Sequence, residues 1–163
     1  MLRIGSGFDV HRFSSETEDD ASIILAGIEI PHTHTLQAHS DGDVLSHALC
    51  DALLGSLALG DIGQHFPDTD SQFKNISSLL LLQQSYQLIL NEHWHLLNAD
   101  ITIIAEKPRI LPYQQQMRQS LADTLGLAIN QFSIKATTSE GLGFTGRGEG
   151  IAVQAVVLIE QDA

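Results

Sequence analysis

Cysteine is almost missing from this chain: Cys50 stands alone in 163 residues. No internal disulfide can form, which points to a reducing, cytoplasmic setting. Basic residues are scarce as well. Eight Lys and Arg face 20 Asp and Glu, a net charge of −12, and this excludes the clustered basic surface that nucleic acid requires. Long apolar runs are missing too. Leu79 to Leu82 is the longest leucine block, bounded by serines and glutamines, far short of the roughly 20 residues of a membrane helix. No signal or transit segment is expected, since Arg3-Ile4 leads straight into strand-like sequence. Without linkers or internal repeats, residues 1–163 read as a single domain, with about two-thirds of the unfolded surface buried on folding.

The few cations are not scattered evenly. Arg12, Lys107, Arg109, Lys135 and Arg147 all lie in or beside the stretches with chemical character. An acidic protein repels a phosphate compound unless metal cations neutralise the charge. Acidity and a metal site therefore belong together here.

Gly5-Ser6-Gly7-Phe8-Asp9-Val10-His11-Arg12-Phe13 alternates as an extended strand does, which places Asp9 and His11 on one face. A carboxylate and an imidazole side by side make two-thirds of a three-ligand metal site; the same pair also suits the polar face of a half-buried strand. A polar loop, Ser14 to Asp20, leads to the apolar run Ile23 to Ile30, and the two strands read as a hairpin closed by Pro31. His32 and His34 follow in a threonine-containing loop that reads as solvated.

Ser40 or Asp41 can cap the next helix, with Asp43 in its first turn. Leu45, Ala48, Leu49, Ala52, Leu53 and Leu57 form its buried stripe. Asp43, His47 and Asp51 recur every four residues along another face, so the two carboxylates could orient the imidazole. Gly60 to Gly63 ends the helical region, and Phe66 to Asp70 is an acidic, turn-rich stretch suited to a lid. Ser77 to Leu90 reads as a structural helix and Ala99 to Glu106 as a strand ending in a basic corner. A helix opens at Pro112 and closes at Gly126. Strands Phe132 to Thr138 and Ile151 to Ile159 flank a connection with five glycines in twelve residues, too glycine-rich for a helix. The order β-β-α-α-β-α-β-β fits an α+β two-layer sandwich: a mixed four-stranded sheet with helices on one face, plus a small hairpin.

Asp9, His11 and one more histidine would supply two nitrogens and one oxygen, a set that suits zinc with its fourth position open. Spacing does not choose between His39 and His47; the helical His47 is the more rigidly held. Lys135-Ala136-Thr137-Thr138-Ser139-Glu140 offers a cation, three hydroxyls and a carboxylate at a strand end. Hydroxyls and amides hold phosphate oxygens, and a carboxylate can hold Mg²⁺ across them. The glycine-rich segment lacks the Walker pattern.

Six blocks, taken in order, resemble one family. They are Gly5 to His11, Ala38 to Asp43, Gly60 to Gly63, Phe66 to Asp70, Lys135 to Thr138 and Gly143 to Gly150. The chain is similar over nearly its whole length to the 2-C-methyl-D-erythritol 2,4-cyclodiphosphate synthases of the non-mevalonate isoprenoid route. The resemblance implies a homotrimer with active sites between subunits. It implies conversion of a cytidine-diphosphate-linked methylerythritol 2-phosphate into the cyclic diphosphate, with release of CMP. By motif, Asp9, His11 and His47 would hold Zn²⁺, and Glu140 would help hold a second ion, Mg²⁺ or Mn²⁺. His39 and Thr138 match residues that position the transition state. Val10, Ser40, Asp61, Ile62 and Gly63 match substrate contacts, as do Phe66, Pro67, Asp68, Thr69 and Asp70. The corner Ala105, Glu106, Lys107, Pro108, Arg109, Ile110 and Leu111 matches a cytidine pocket, and Thr137 and Ser139 flank Thr138 at the diphosphate. Phe144 and Arg147 match the lining of a central cavity where an isoprenoid diphosphate would bind.

Some positions depart from the family pattern: Ser139 stands where many relatives carry threonine, and Ser6 replaces a histidine found in some. Neither removes a metal ligand. The implied nucleophile is already a phosphate oxyanion, so no Ser or Cys nucleophile is needed, and positioning with charge neutralisation carries the catalysis. A zinc-dependent phosphohydrolase and a non-enzymatic trimeric binding protein are the competing classes. Inorganic phosphate without CMP would mark the first; the second has no use for Asp9, His11, His47 and Glu140 together.

Overall fold

A computed structural model of the protein describes residues 1–38, 40–67 and 76–162. The first strand, β1 (Leu2–Arg12), is followed by β2 (Ser22–Leu25), β3 (Ile28–Pro31), α1 (Val44–Ser56) and the single turn α2 (Ile62–His65). The second half runs α3 (Ser78–Asn91), β4 (Trp94–Ile104), α4 (Gln114–Leu125), β5 (Phe132–Thr137), the short α5 (Gly143–Gly146) and β6 (Gly150–Gln161). Four strands form one sheet in the order β1-β6-β4-β5, and β2 and β3 form a separate ribbon. β6 runs antiparallel to both its neighbours, whereas β4 and β5, joined through α4, are parallel. The expected α+β architecture with a mixed four-stranded sheet and a small hairpin is present.

The pairing of the first strand differs from expectation. β1 does not turn back onto the 23–30 segment; it pairs with β6 along its whole length, from Leu2 opposite Glu160 to Arg12 opposite Gly150. The 23–30 run folds on itself at Ala26 and Gly27, both with positive φ (50° and 72°). Such a turn matches the twist of its flanking strands, so the apolar run is split into two short strands.

Alternation along β1 turns Gly5, Gly7, Asp9 and His11 towards the helices and leaves Ile4, Phe8 and Val10 exposed on the other face. The inward face of the sheet carries Ile151, Val153 and Val157 of β6, Ile101 and Ile103 of β4, and Phe132 and Ile134 of β5. These pack with Leu45, Leu49 and Leu53 of α1, Leu82 and Ile89 of α3, and Met117 and Leu121 of α4 in one buried cluster. β4 starts five residues earlier than expected, and its register shifts between Leu96 and Asn98. An irregularity of this kind resets the alternation, so that Leu96 and Ala99 both lie in the core.

Two glycines let α1 lie directly on β1. A Cβ at Gly5 would sit 1.9 Å from the Ala52 carbonyl oxygen, and one at Gly7 would sit 1.9 Å from that of Ala48. The glycine-rich connection does carry a helix, the one turn Gly143–Gly146. Close packing accounts for it: a Cβ at Gly146 would fall 2.1 Å from the Gly141 carbonyl carbon.

Candidate metal centre

The site grows out of the β1–α1 contact. Asp9 and His11 are successive inward residues of β1, opposite Val153 and Ile151 of β6. His47 lies in the first turn of α1, the helix that the strand glycines admit. Asp9 Oδ2 lies 3.2 Å from Nδ1 of His11 and 3.2 Å from Nδ1 of His47. The imidazole centroids are 5.3 Å apart with their planes at 43°. One ligand atom from each residue falls within 4.8 Å of the others, and among the described residues no other His, Cys, Asp or Glu trio does this.

The donor set fits a divalent cation. Nδ1 of His11 is buried and makes no hydrogen bond, although it faces the Asp9 carboxylate. A buried polar atom without a partner is costly, and an ion shared with Asp9 and His47 would remove that cost. Burial alone would push the Asp9 carboxyl up, but the His11 and His47 imidazoles and the Val10 N–H outweigh it and hold it well below the usual carboxylate range. His47 moves the other way: burial disfavours its charge, yet Asp9, Asp43 and Asp41 together raise its pKa. A carboxylate kept ionised beside two imidazoles is a ready cation site.

The cleft over this trio has a volume of about 210 Å³. Ser40, Asp51, Ile62, Gly63 and Phe66 line it together with Asp9, His11 and His47. α2 brings Ile62 and Gly63 there, capped by Asp61, whose Oδ1 accepts from the Gln64 N–H at 3.0 Å. The sequence reading instead ends the helical region at Gly60 to Gly63. Val10 points away from the cleft, on the exposed face of the sheet. His39, the other candidate ligand, lies outside the described residues, as do Asp68, Thr69 and Asp70 and hence most of the expected lid.

The Asp43 and Asp51 carboxylates make no hydrogen bond to His47, contrary to what their spacing suggests, and that of Asp43 acts on it through charge alone. Asp43 precedes the helix as its N-cap and is fully buried. It accepts from the N–H groups of Ala26 (2.9 Å), Gly27 (2.8 Å) and Ser46 (3.0 Å), and from the Ser46 hydroxyl (2.8 Å). Asp43 therefore ties the hairpin turn to the helix start, and it displaces Ser40 and Asp41 as the expected cap. Asp51 accepts from the Ile62 N–H at 2.8 Å; burial and the negative charges of Asp61 and Asp9 push its carboxyl up. The support for His47 comes from Ser78, a fully buried residue at the start of α3 that the sequence reading treats as structural. Its hydroxyl lies 2.8 Å from His47 Nε2, and that of Ser40 lies at 3.3 Å. Nothing in helical periodicity separates this serine from its neighbours.

The remaining sequence-predicted residues cluster elsewhere. Thr137 ends β5, and the Thr138 hydroxyl donates to Glu140 Oε1 at 3.1 Å. Glu106 holds the turn that follows, accepting from the N–H groups of Ser139 (3.2 Å) and Gly141 (3.3 Å). The Ala105 N–H donates to the Thr137 carbonyl at 3.1 Å, so the corner that includes Lys107, Pro108, Arg109, Ile110 and Leu111 adjoins this turn. This second cluster sits on β4 and the edge strand β5, whereas Asp9 and His11 sit on the opposite edge strand. Three strand spacings, about 14 Å, separate the two edges. Within one chain the two groups do not meet. Lys135, offered by the sequence as a phosphate-binding cation, is paired with Asp100 instead. Arg147 donates to both carboxylate oxygens of Glu149 (2.8 and 3.3 Å), near the partly exposed Phe144.

Comparison with known proteins decides the family. The YgbB family model matches residues 2–160. The chain belongs to the YgbB family. The 2-C-methyl-D-erythritol 2,4-cyclodiphosphate synthase of Acinetobacter baumannii (strain SDF) is 61% identical over 159 residues, covering 98% of this chain and 97% of that protein. The bifunctional IspDF of Campylobacter jejuni superposes with a TM-score of 0.92 at 44% identity; the match covers 99% of this chain and 43% of that longer one. Plasmodium falciparum IspF, solved as a CDP complex, superposes with a TM-score of 0.86 at 29% identity over 99% of this chain and 97% of that one. No helix among the described residues is long and apolar enough to cross a membrane.

Proposed function

We propose that this protein converts 4-diphosphocytidyl-2-C-methyl-D-erythritol 2-phosphate into 2-C-methyl-D-erythritol 2,4-cyclodiphosphate and CMP, in the cytoplasm. The observation that carries this reading is the Asp9–His11–His47 trio in a chain 61% identical to a synthase of that name. The substrate's own 2-phosphate oxygen forms a bond to the β-phosphorus of the diphosphate as the bond to CMP breaks. No protein nucleophile is consumed. Cys50 suits that account, since it is fully buried and its thiol is pushed up to about 12, mainly by burial.

Asp9, His11 and His47 would hold Zn²⁺ and Glu140 would help hold Mg²⁺ or Mn²⁺, two cations that supply charge neutralisation and polarisation at the phosphoryl groups. Asp61, Ile62, Gly63, Ser40, Phe66 and Pro67 would orient the methylerythritol, and Asp68, Thr69 and Asp70 are assigned to substrate contact on their motif alone. His39 and Thr138 position the phosphoryl groups. The corner from Ala105 to Leu111 takes the cytidine; a relative solved as a CDP complex supports a cytidine nucleotide as ligand.

The catalytic assembly is a homotrimer in which one subunit's Asp9–His11–His47 cleft faces the Thr137–Glu140 turn of another. Two features support this arrangement: the half-sites occupy opposite edges of the sheet, and its outer face leaves Ile4 and Phe8 66% and 57% exposed. Obligate interfaces bury such apolar faces. Phe144 and Arg147 then line the central cavity, where an isoprenoid diphosphate binds. Incubation with the cytidine-linked substrate, Zn²⁺ and Mg²⁺, followed by ³¹P NMR, tests the reaction. CMP with the cyclic diphosphate is expected; inorganic phosphate without CMP would assign a hydrolase.

A further inference from the structure

Behind His47, on the side away from Asp9, lies a short polar chain. The Ser78 hydroxyl donates to Asp41 Oδ1, and its oxygen lies 2.8 Å from His47 Nε2. Asp41 is itself pinned between two helix starts. Its Oδ2 accepts from the Ser78 N–H at 2.9 Å, and its Oδ1 accepts from the Asp43 N–H at 3.2 Å. With its single proton committed to Asp41, the Ser78 oxygen can only accept from the imidazole, because a hydroxyl carries one donor. His47 must therefore carry a proton on Nε2.

In the neutral ring, Nδ1 presents a lone pair to Asp9 Oδ2 at 3.2 Å, in the space that the His11 imidazole also faces. Two acceptors that face each other at this distance repel unless a proton or a cation sits between them.

We propose that Ser78 is a positioning residue for the metal: the relay Asp41–Ser78–His47 locks the His47 tautomer and ring plane that offer Nδ1 to a divalent ion. The inference rests on the zinc reading of the Asp9–His11–His47 trio. Ser78 is 0% exposed, so no water competes for the imidazole proton at its hydroxyl. The Ser40 hydroxyl, 3.3 Å from Nε2 and accepting from the Gly42 N–H at 3.3 Å, is the weaker neighbour. Partners of this kind orient a ligand imidazole and raise its basicity.

Zinc dissociation constants of the full-length wild type, Ser78→Ala and Ser77→Ala, measured by competition with a chromophoric chelator, test the relay. Ser77 makes no side-chain cap bond to α3 and serves as the control at the same helix start. Ser78→Ala is expected to bind zinc about 10–100-fold more weakly, with Ser77→Ala within about twofold of wild type, since exposed surface changes have small effects. Ring ¹⁵N–¹H spectra of the zinc-loaded wild type give a second readout that needs no variant and decides the matter if Ser78→Ala does not fold. They are expected to show the His47 Nε2 proton protected from exchange with water. Wild-type affinity in a folded Ser78→Ala, or a His47 Nε2 proton exchanging as freely as in a solvated imidazole, overturns the relay alone. A wild-type chain that binds no zinc overturns the metal reading along with it.

Discussion

Gly7 and the Ala48 carbonyl meet so closely that a Cβ on Gly7 would stand 1.9 Å from the Ala48 oxygen. The contact joins the middle of β1 to the first half of α1, and it fixes how far His47 stands from Asp9. Gly7→Ala must push strand and helix apart. A loss of about 3 kcal/mol of stability is expected, the upper range for overpacking a core, together with weaker zinc binding. Urea denaturation and chelator competition measure the two effects. An unchanged midpoint would show that the β1–α1 spacing is slack.

The metal-free site has a pH window whose edges follow from its two shifted groups. Asp9 is depressed from its ordinary value of 3.8, so its contribution is complete above that value and is lost as pH falls below it. His47 is raised from its ordinary 6.5, so its contribution is complete below 6.5 and is lost as pH climbs through the folded value. The pair therefore stabilises the metal-free protein most between about 4 and about 6.5. Compared with Asp9→Asn, the wild type should hold its greatest stability advantage in that interval and lose it on both sides. A difference that stays constant from pH 3 to pH 8, by urea titration of chelator-treated protein, would contradict the pairing.

Glu106 shapes the second cluster without belonging to the metal trio, because its carboxylate fastens the backbone N–H groups of Ser139 and Gly141. Glu106→Ala frees the turn that carries Thr138 and Glu140. kcat/KM for the cytidine-linked substrate is expected to fall about tenfold, the cost of a modest misplacement of reacting groups. Zinc affinity should stay at the wild-type value, since the Glu106 carboxylate bonds the Ser139 and Gly141 N–H groups and none of Asp9, His11 and His47. Steady-state kinetics and metal titration on one preparation separate the two.

Cys50 sits inside α1, fully buried, with its thiol pushed up to about 12. The thiolate is the reactive form, so a thiol reagent at pH 8 should leave the native protein unlabelled for hours and modify it within minutes in denaturing urea. Mass spectrometry reads the difference. Rapid labelling of the native state would mean that α1 opens locally far more easily than its packing implies.

Periodicity and spacing carried much of this protein. Period-two alternation placed Asp9 and His11 on one face, helical stripes marked α1, α3 and α4, and Gly126 was recognisable as the left-handed C-terminal residue it is, with φ at 67°. Six short blocks were enough to suggest the family. These are properties of neighbours in the chain, and local backbone geometry ties them directly to residue type.

Only the tertiary structure decided who meets whom at a distance. β1 pairs with β6 and not with the nearby apolar run, which closes on its own turn at Ala26 and Gly27. Asp43 looked like a partner for His47 four residues on, yet buried backbone N–H groups at Ala26 and Gly27 compete for the same carboxylate and win. Ser78 reaches His47 across 31 positions, a contact that no helical pattern encodes. The Asp9–His11 pair and the Thr137–Glu140 turn also lie at opposite edges of the sheet, a separation set by the strand order β1-β6-β4-β5. Sequence names the groups that can do chemistry; which of them come within 3 Å is settled by burial and by the demand that every buried donor find an acceptor.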